Sequence, residues 1–127
     1  KKFSKGYNLY THNGKQKADS NPVEIARKVE TLGCGEIVIN SIDHDGVMKG
    51  YDKKIINEIR NAISIPMTVL GGAGTLDDIG GMIREHGIIG VAAGSLFVFK
   101  GKYKAVLINY PNITEKENLI KNNFKAR

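Results

Sequence analysis

Three short stretches of this sequence hold the residue types that can do chemistry, and each follows an apolar run. Leu70-Gly71-Gly72-Ala73-Gly74 comes after one run and Ala93-Gly94-Ser95 after the next. Backbone amides freed of side-chain bulk, at the carboxyl ends of adjacent parallel strands, can converge on a phosphate, and a short helix beginning at Ser95 would aim its amino end at the same anion. Either turn alone is explained as well by glycine's tolerance of tight βα connections; the two together favour one phosphate cup. The GGAG string is not a P-loop, since no Gly-Lys-Ser/Thr follows it, and the dinucleotide fingerprint is incomplete. The third stretch, Asn40-Ser41-Ile42-Asp43-His44-Asp45-Gly46, supplies acid. Gly46 signals that a loop has begun, so Asp45 is expected over the mouth of the fold, where it could move protons to or from a substrate held by its phosphate. The alternative, turn and cap hydrogen bonds, suits Asp43 better than Asp45.

Other reactive residues offer less. Glu36 stands at the amino end of a strand, pointing towards the opposite rim, and a salt bridge explains it as well as any function. His12, His44 and His86 are scattered, with His44 expected to face outward, and Asp43-x-Asp45-Gly46 lacks the further oxygen ligands of a calcium loop. No metal and no cofactor is therefore expected. Cys34, the only cysteine, falls at a helix-to-strand turn and reads as a buried structural thiol. It cannot form an internal disulfide, which fits a reducing cytoplasm.

The elements that must position these residues follow from periodicity. Ile37 to Ile39, Met67 to Leu70 and Ile88 to Ala93 read as strands of a parallel sheet. Asn21 and Pro22 start a helix whose apolar residues are Ile25, Ala26, Val29 and Leu32, ended by Gly33. Asp52 caps a second helix with the stripe Ile55, Ile56, Ile59 and Ile63, while Tyr51 packs. Thr75 caps a third, with Leu76, Ile79, Met82 and Ile83 inward, weakened by Gly80 and Gly81 and ended by Gly87. Residues 3–17 differ: Tyr7, Leu9 and Thr11 alternate and His12-Asn13-Gly14-Lys15 supplies a turn, so a hairpin excursion is expected. After Ser95 the pattern blurs into a short apolar element at Leu96 to Phe99, a break at Pro111 and a terminal helix over Glu115 to Phe124.

Strand starts at 37, 67 and about 88 are the spacing of βα repetition. A closed barrel needs about eight such units over roughly 250 residues, so the 127 residues predict one partial domain, 1–127, resembling half a barrel. Its raw sheet edges and open face predict self-association. Composition agrees with a soluble globular chain: 41% hydrophobic, 25% charged, and no apolar stretch near membrane-spanning length. A formal charge of +6 suits an anionic partner, but the basic residues gather at the ends (Lys1, Lys2, Lys5; Lys100, Lys102, Lys104; Lys116, Lys121, Lys125, Arg127) without a nucleic-acid motif. A phosphorylated metabolite is the better match, and neither nucleic acid nor membrane is expected as a partner.

GEIVINSIDHDGVMKGYD, followed by IPMTVLGGAG and GVAAGSLF, resembles the carboxyl-terminal half of the cyclase subunit of imidazole glycerol phosphate synthase, a TIM (βα)8-barrel family of histidine biosynthesis. The resemblance runs from about Tyr7 to Phe99 and makes the three strands the sixth to eighth of the barrel, with the hairpin after the fifth. It implies a lyase that uses ammonia from a glutaminase partner to cleave and cyclise a bis-phosphorylated ribonucleotide-type intermediate. By the same resemblance Asp45 is the second catalytic aspartate, Gly46, Gly71, Gly72, Gly94 and Ser95 hold one substrate phosphate, and Glu36 lies at the ammonia entrance. The first catalytic aspartate and the other phosphate cup belong to strands outside this chain, so the fragment alone is expected to be inactive. Asn40, His44 and Leu70 stand where threonine, arginine and serine are usual. The tail VFKGKYKAVLINYP is more similar to a paralogous branch that works beside an amidotransferase in surface-polysaccharide synthesis. A sister sugar isomerase shares the phosphate cups but is disfavoured by the hairpin and the GVMKGYD loop.

Overall fold

The computed structural model describes residues 6–125. Residues 3–5 of the expected excursion, and with them Lys1, Lys2, Lys5 and Arg127, lie outside the described residues. The chain opens with an antiparallel hairpin, β1 (Leu9–Thr11) and β2 (Gln16–Ala18), turning through His12, Asn13 and Gly14. Helix α1 (Pro22–Thr31) starts where Asn21 accepts hydrogen bonds from the amides of Val23 (2.8 Å) and Glu24 (3.4 Å). Then come β3 (Ile37–Asn40), α2 (Lys53–Arg60), β4 (Met67–Leu70), α3 (Leu76–His86) and β5 (Gly90–Val91). Helix α3 is fixed by a capping box in which Thr75 and Asp78 satisfy each other's amides at 2.9 and 3.2 Å.

Strands β3, β4 and β5 form one parallel sheet in that order, with Val38 beside Thr68 and Val69 beside Val91. Alternation sends Met67 and Val69 to the helix side, where they are buried with Ile55, Ile56 and Ile59 of α2 and Ile79 and Met82 of α3. Among the described residues the other face is open at Val38, which is 62% exposed. Helices cover one side only, as in one arc of a barrel wall. The third strand is shorter than its apolar run, which places Ile88 in solvent, and Leu32 also points outward, 76% exposed beyond the end of α1. Along the free edge of β3 a cleft of about 770 Å³ runs between the hairpin, α1 and α2.

The blurred region after Ser95 resolves into a single helical turn, α4 (Ser95–Val98), and a second antiparallel hairpin, β6 (Phe99–Lys100) and β7 (Ala105–Val106). The terminal helix, α5 (Ile113–Asn123), is capped by Asn112 with Glu115 and packs on α3. Its buried Asn123 sits where a Cβ on Gly80 would be, 2.7 Å from the amide nitrogen, and bonds to Arg84 and to the Leu119 carbonyl. Gly80 thus trades helix propensity for close helix contact. Among the described residues no helix is long and apolar enough to cross a membrane.

Candidate functional site

Because the three strands run parallel, the chain segments leaving them meet at one rim. The strand ladder continues into these segments through Ser41 N–H to Leu70 O (3.1 Å) and Ala92 N–H to Val69 O (2.8 Å). After β3 the backbone does not stay extended to Asp45; it coils at once, with the amides of His44 and Asp45 both bonded to Ser41 O at 3.1 and 2.9 Å. The same loop then lies against the turn after β4, where Gly50 N–H donates to Gly72 O at 2.8 Å. A Cβ on Gly72 would fall 2.2 Å from Gly50 O, and its φ is +114°, so only glycine allows the contact. Tyr51 reaches across to the third segment, donating its hydroxyl to Ala92 O at 2.7 Å. Burial of the Tyr51 ring, with Asp78 nearby, pushes its pKa upward and keeps the hydroxyl a donor.

The residues singled out from sequence sort into two ends. Gly46, Gly71, Gly72, Gly94, Ser95 and Asp45 all belong to this rim. Gly46 and Ser95 are neighbours, since a Cβ on Gly46 would lie 3.9 Å from Ser95 Oγ. Gly71 and Gly72 are buried, Gly71 beside Asn40 and Ser41, whereas Gly94 is exposed with open space around it. Helix α4 is one turn with no side-chain cap, too short for the helix-end field expected at Ser95. Asp45 is exposed, and among the described residues nothing hydrogen-bonds its carboxylate. Asp43 likewise makes no turn or cap bond with its side chain; it lines the cleft beside β3. Glu36 lies at the opposite end of β3, where its carboxylate accepts from Thr68 Oγ1 at 2.6 Å, and among the described residues it forms no salt bridge. Half-buried Cys34 donates to Glu36 O at 2.9 Å.

Two groups at the rim escaped sequence reasoning. Asp52 caps α2 through Ile55 N–H (3.5 Å), as expected, but also accepts from the Tyr7 hydroxyl at 2.7 Å, docking the first hairpin. His44 is turned back along the loop instead of outward, with Nδ1 2.9 Å from Ser41 Oγ and 3.5 Å from Asp52. Serine, histidine and aspartate in contact have the composition of a nucleophile triad, yet both contacts fall on the same ring nitrogen. A proton relay needs the two nitrogens separately, so the cluster holds the loop rather than activating a serine. The second group is Lys104, whose ammonium reaches from the β6–β7 hairpin to Gly46 O at 3.1 Å. Contacts across such sequence separations leave no local signal. Among the described residues no group of three or more His, Cys, Asp or Glu is placed to hold a metal ion.

A parallel βα sheet with its reactive residues at the carboxyl ends of the strands is the arrangement of barrel enzymes. The model of the family described as "Histidine biosynthesis protein", a TIM-barrel family, matches residues 2–104, and the chain belongs to that family. It is 48% identical over 118 residues to a Vibrio vulnificus protein provisionally named imidazole glycerol phosphate synthase subunit hisF3, covering 93% of this chain and 45% of that protein. A Leptospira borgpetersenii protein, provisionally named the HisF subunit, is 56% identical over 92% of this chain and 46% of its own. The HisF subunit of Clostridium botulinum (strain Okra) is 38% identical over 79% of this chain and 40% of its own. The chain thus spans a little under half the length of the curated relatives it matches.

Proposed function

We propose that this chain is the carboxyl-terminal half of a barrel-shaped cyclase subunit of the imidazole glycerol phosphate synthase type, in which β3, β4 and β5 serve as the sixth to eighth strands. The observation that carries the reading is the interlocked rim, where the unengaged Asp45 carboxylate stands next to Gly46, and Gly46 next to Ser95. The amides of Gly46, Gly71, Gly72, Gly94 and Ser95 then hold one phosphate of a bis-phosphorylated ribonucleotide-type intermediate. Asp45 moves a proton at the reacting end of that substrate. Ammonia made by a glutaminase partner enters past Glu36 at the other end of the sheet. The open sheet face at Val38 is covered by the amino-terminal half or, when that is lacking, by self-association. The other acid–base carboxylate comes from that amino-terminal half, so the isolated chain binds phosphate without turnover, in the cytoplasm where such substrates are made.

The test is ammonia-dependent cyclisation by the chain joined to the amino-terminal half of a relative. Asp45→Asn is expected to lower turnover by about 10²- to 10⁴-fold, the usual cost of losing one acid–base group, with substrate binding retained. Unchanged turnover removes Asp45 from the mechanism.

A second reading keeps the ammonia channel and phosphate cup but places them in surface-polysaccharide synthesis. It rests on the tail VFKGKYKAVLINYP, which is similar to that paralogous branch. The family match ends at Lys104, within that tail. Failure of the cyclase substrate, alongside ammonia-dependent consumption of a nucleotide sugar by a partner amidotransferase, selects this reading.

A further inference from the structure

The β6–β7 hairpin carries three lysines, and one of them does something the others do not. Lys104 Nζ donates to Gly46 O at 3.1 Å, across 58 residues of chain. Its backbone is in the left-handed region, φ +49°, and its amide closes the hairpin turn on Gly101 O at 3.1 Å. The turn geometry therefore delivers this ammonium to the rim. The contacted glycine lies between Asp45 in sequence and Ser95 Oγ in space. An ammonium has three hydrogens to donate, and Gly46 O takes one, leaving two for another acceptor at the rim. Lys100 and Lys102 are exposed on the same hairpin, where they add to the local positive potential.

We propose that Lys104 is a substrate-binding residue whose ammonium closes the open side of the glycine cup and holds a phosphate monoester there. The proposal rests on the phosphate-cup reading above and adds to it a cation that no glycine turn can supply. Neutral amides bind a dianion weakly when the helix behind them is a single turn, as α4 is. A charge-assisted donor on Gly46 corrects this, and it comes from a segment at the very end of the family match, which makes it a determinant of which phosphorylated substrate is accepted.

Inorganic phosphate is titrated into the isotope-labelled chain while amide resonances are followed. In the unaltered protein the amides of Gly72, Gly94 and Ser95 are expected to shift saturably. Lys104→Met should weaken phosphate binding about tenfold, the low end for a charge-assisted bond at an open site. Lys104→Arg, which keeps the charge, should stay within about threefold, and Lys102→Met, which removes the same formal charge elsewhere on the hairpin, within about twofold. Saturable shifts at the cup with equal affinity in Lys104→Met overturn the role of Lys104 and leave the cup standing. Equal losses in Lys104→Met and Lys104→Arg, or in Lys104→Met and Lys102→Met, overturn it as well, by assigning the effect to hairpin geometry or to overall charge. The absence of any shift at Gly72, Gly94 and Ser95 in the unaltered protein overturns the cup and the proposal together.

Discussion

Tyr51 and Ala92, 41 residues apart, are joined by a 2.7 Å hydrogen bond from the tyrosine hydroxyl to the backbone carbonyl. This ties the loop that carries Asp45 to the segment that carries Gly94 and Ser95. The ring is part of the core, so Tyr51→Phe keeps the packing and removes only the donor. The expected loss of stability is about 1 kcal/mol, as for a partly buried bond whose acceptor is left behind. Urea denaturation measures it. The same variant should also loosen the rim, seen as faster hydrogen exchange at Ala92 and Gly94 without change in α2.

Gly72 and Gly94 separate structural from ligand-related need for glycine. At Gly72 an added methyl group meets Gly50 O at 2.2 Å on a backbone with φ +114°, so Gly72→Ala should destabilise the chain by about 2–4 kcal/mol. At Gly94 nothing lies within 4 Å and φ is −108°, so Gly94→Ala should leave stability within about 0.5 kcal/mol. If the bare Gly94 backbone exists to let a phosphate approach, Gly94→Ala should nevertheless weaken phosphate binding. Thermal unfolding and phosphate titration on both variants give the comparison; unaltered binding in Gly94→Ala would mean that the glycine serves only the turn.

The helix caps and the two longer strands were readable because each depends on neighbours in sequence: Asn21 with Pro22, Thr75 with Asp78, and the four-residue run at Met67. The rim was readable as a set of strand ends, since glycine and aspartate after apolar runs are local signals. What held the rim together was not. Tyr7 to Asp52, Tyr51 to Ala92 and Lys104 to Gly46 are pairings over 45, 41 and 58 residues, and no periodicity encodes them. The apolar run overstates the third strand because Ile88 and Ile89 look alike in sequence, although only Ile89 packs against the core. Leu32 failed for a related reason: it fits the helical spacing of α1 but lies one residue past its end.

Helix propensity makes both glycines inside α3 weak points, and the structure divides them. A Cβ on Gly80 would lie 2.7 Å from the Asn123 amide, whereas one on Gly81 meets only the end of the Arg84 side chain at 3.8 Å. Gly81→Ala should therefore stabilise the chain by about 0.5–1 kcal/mol through helix propensity alone. Gly80→Ala gains the same propensity but displaces Asn123 and breaks its bonds to Arg84 and Leu119 O. Its net effect should be destabilising, with faster hydrogen exchange across α5 and none of that change in Gly81→Ala. A stabilised Gly80→Ala variant would show that α5 docks without Asn123.

Tyr7 links the first hairpin to pH. Withdrawal of its ring from water, its hydrogen bond to Asp52, and the negative charges of Asp52 and Glu58 raise its pKa from 10.0 to about 12. Between these values the folded chain holds a proton that the unfolded chain has released, so stability falls as pH rises. The Tyr7 contribution is complete below pH 10 and is lost as the pH passes through about 12. Tyr51 acts in the same direction, so Tyr7→Phe should make the alkaline loss of stability shallower without abolishing it. Denaturation midpoints measured across that window, with tyrosinate absorbance recorded in parallel, test the assignment. An identical slope in Tyr7→Phe and the unaltered protein would show that Asp52 docks the hairpin without depending on the phenolic proton.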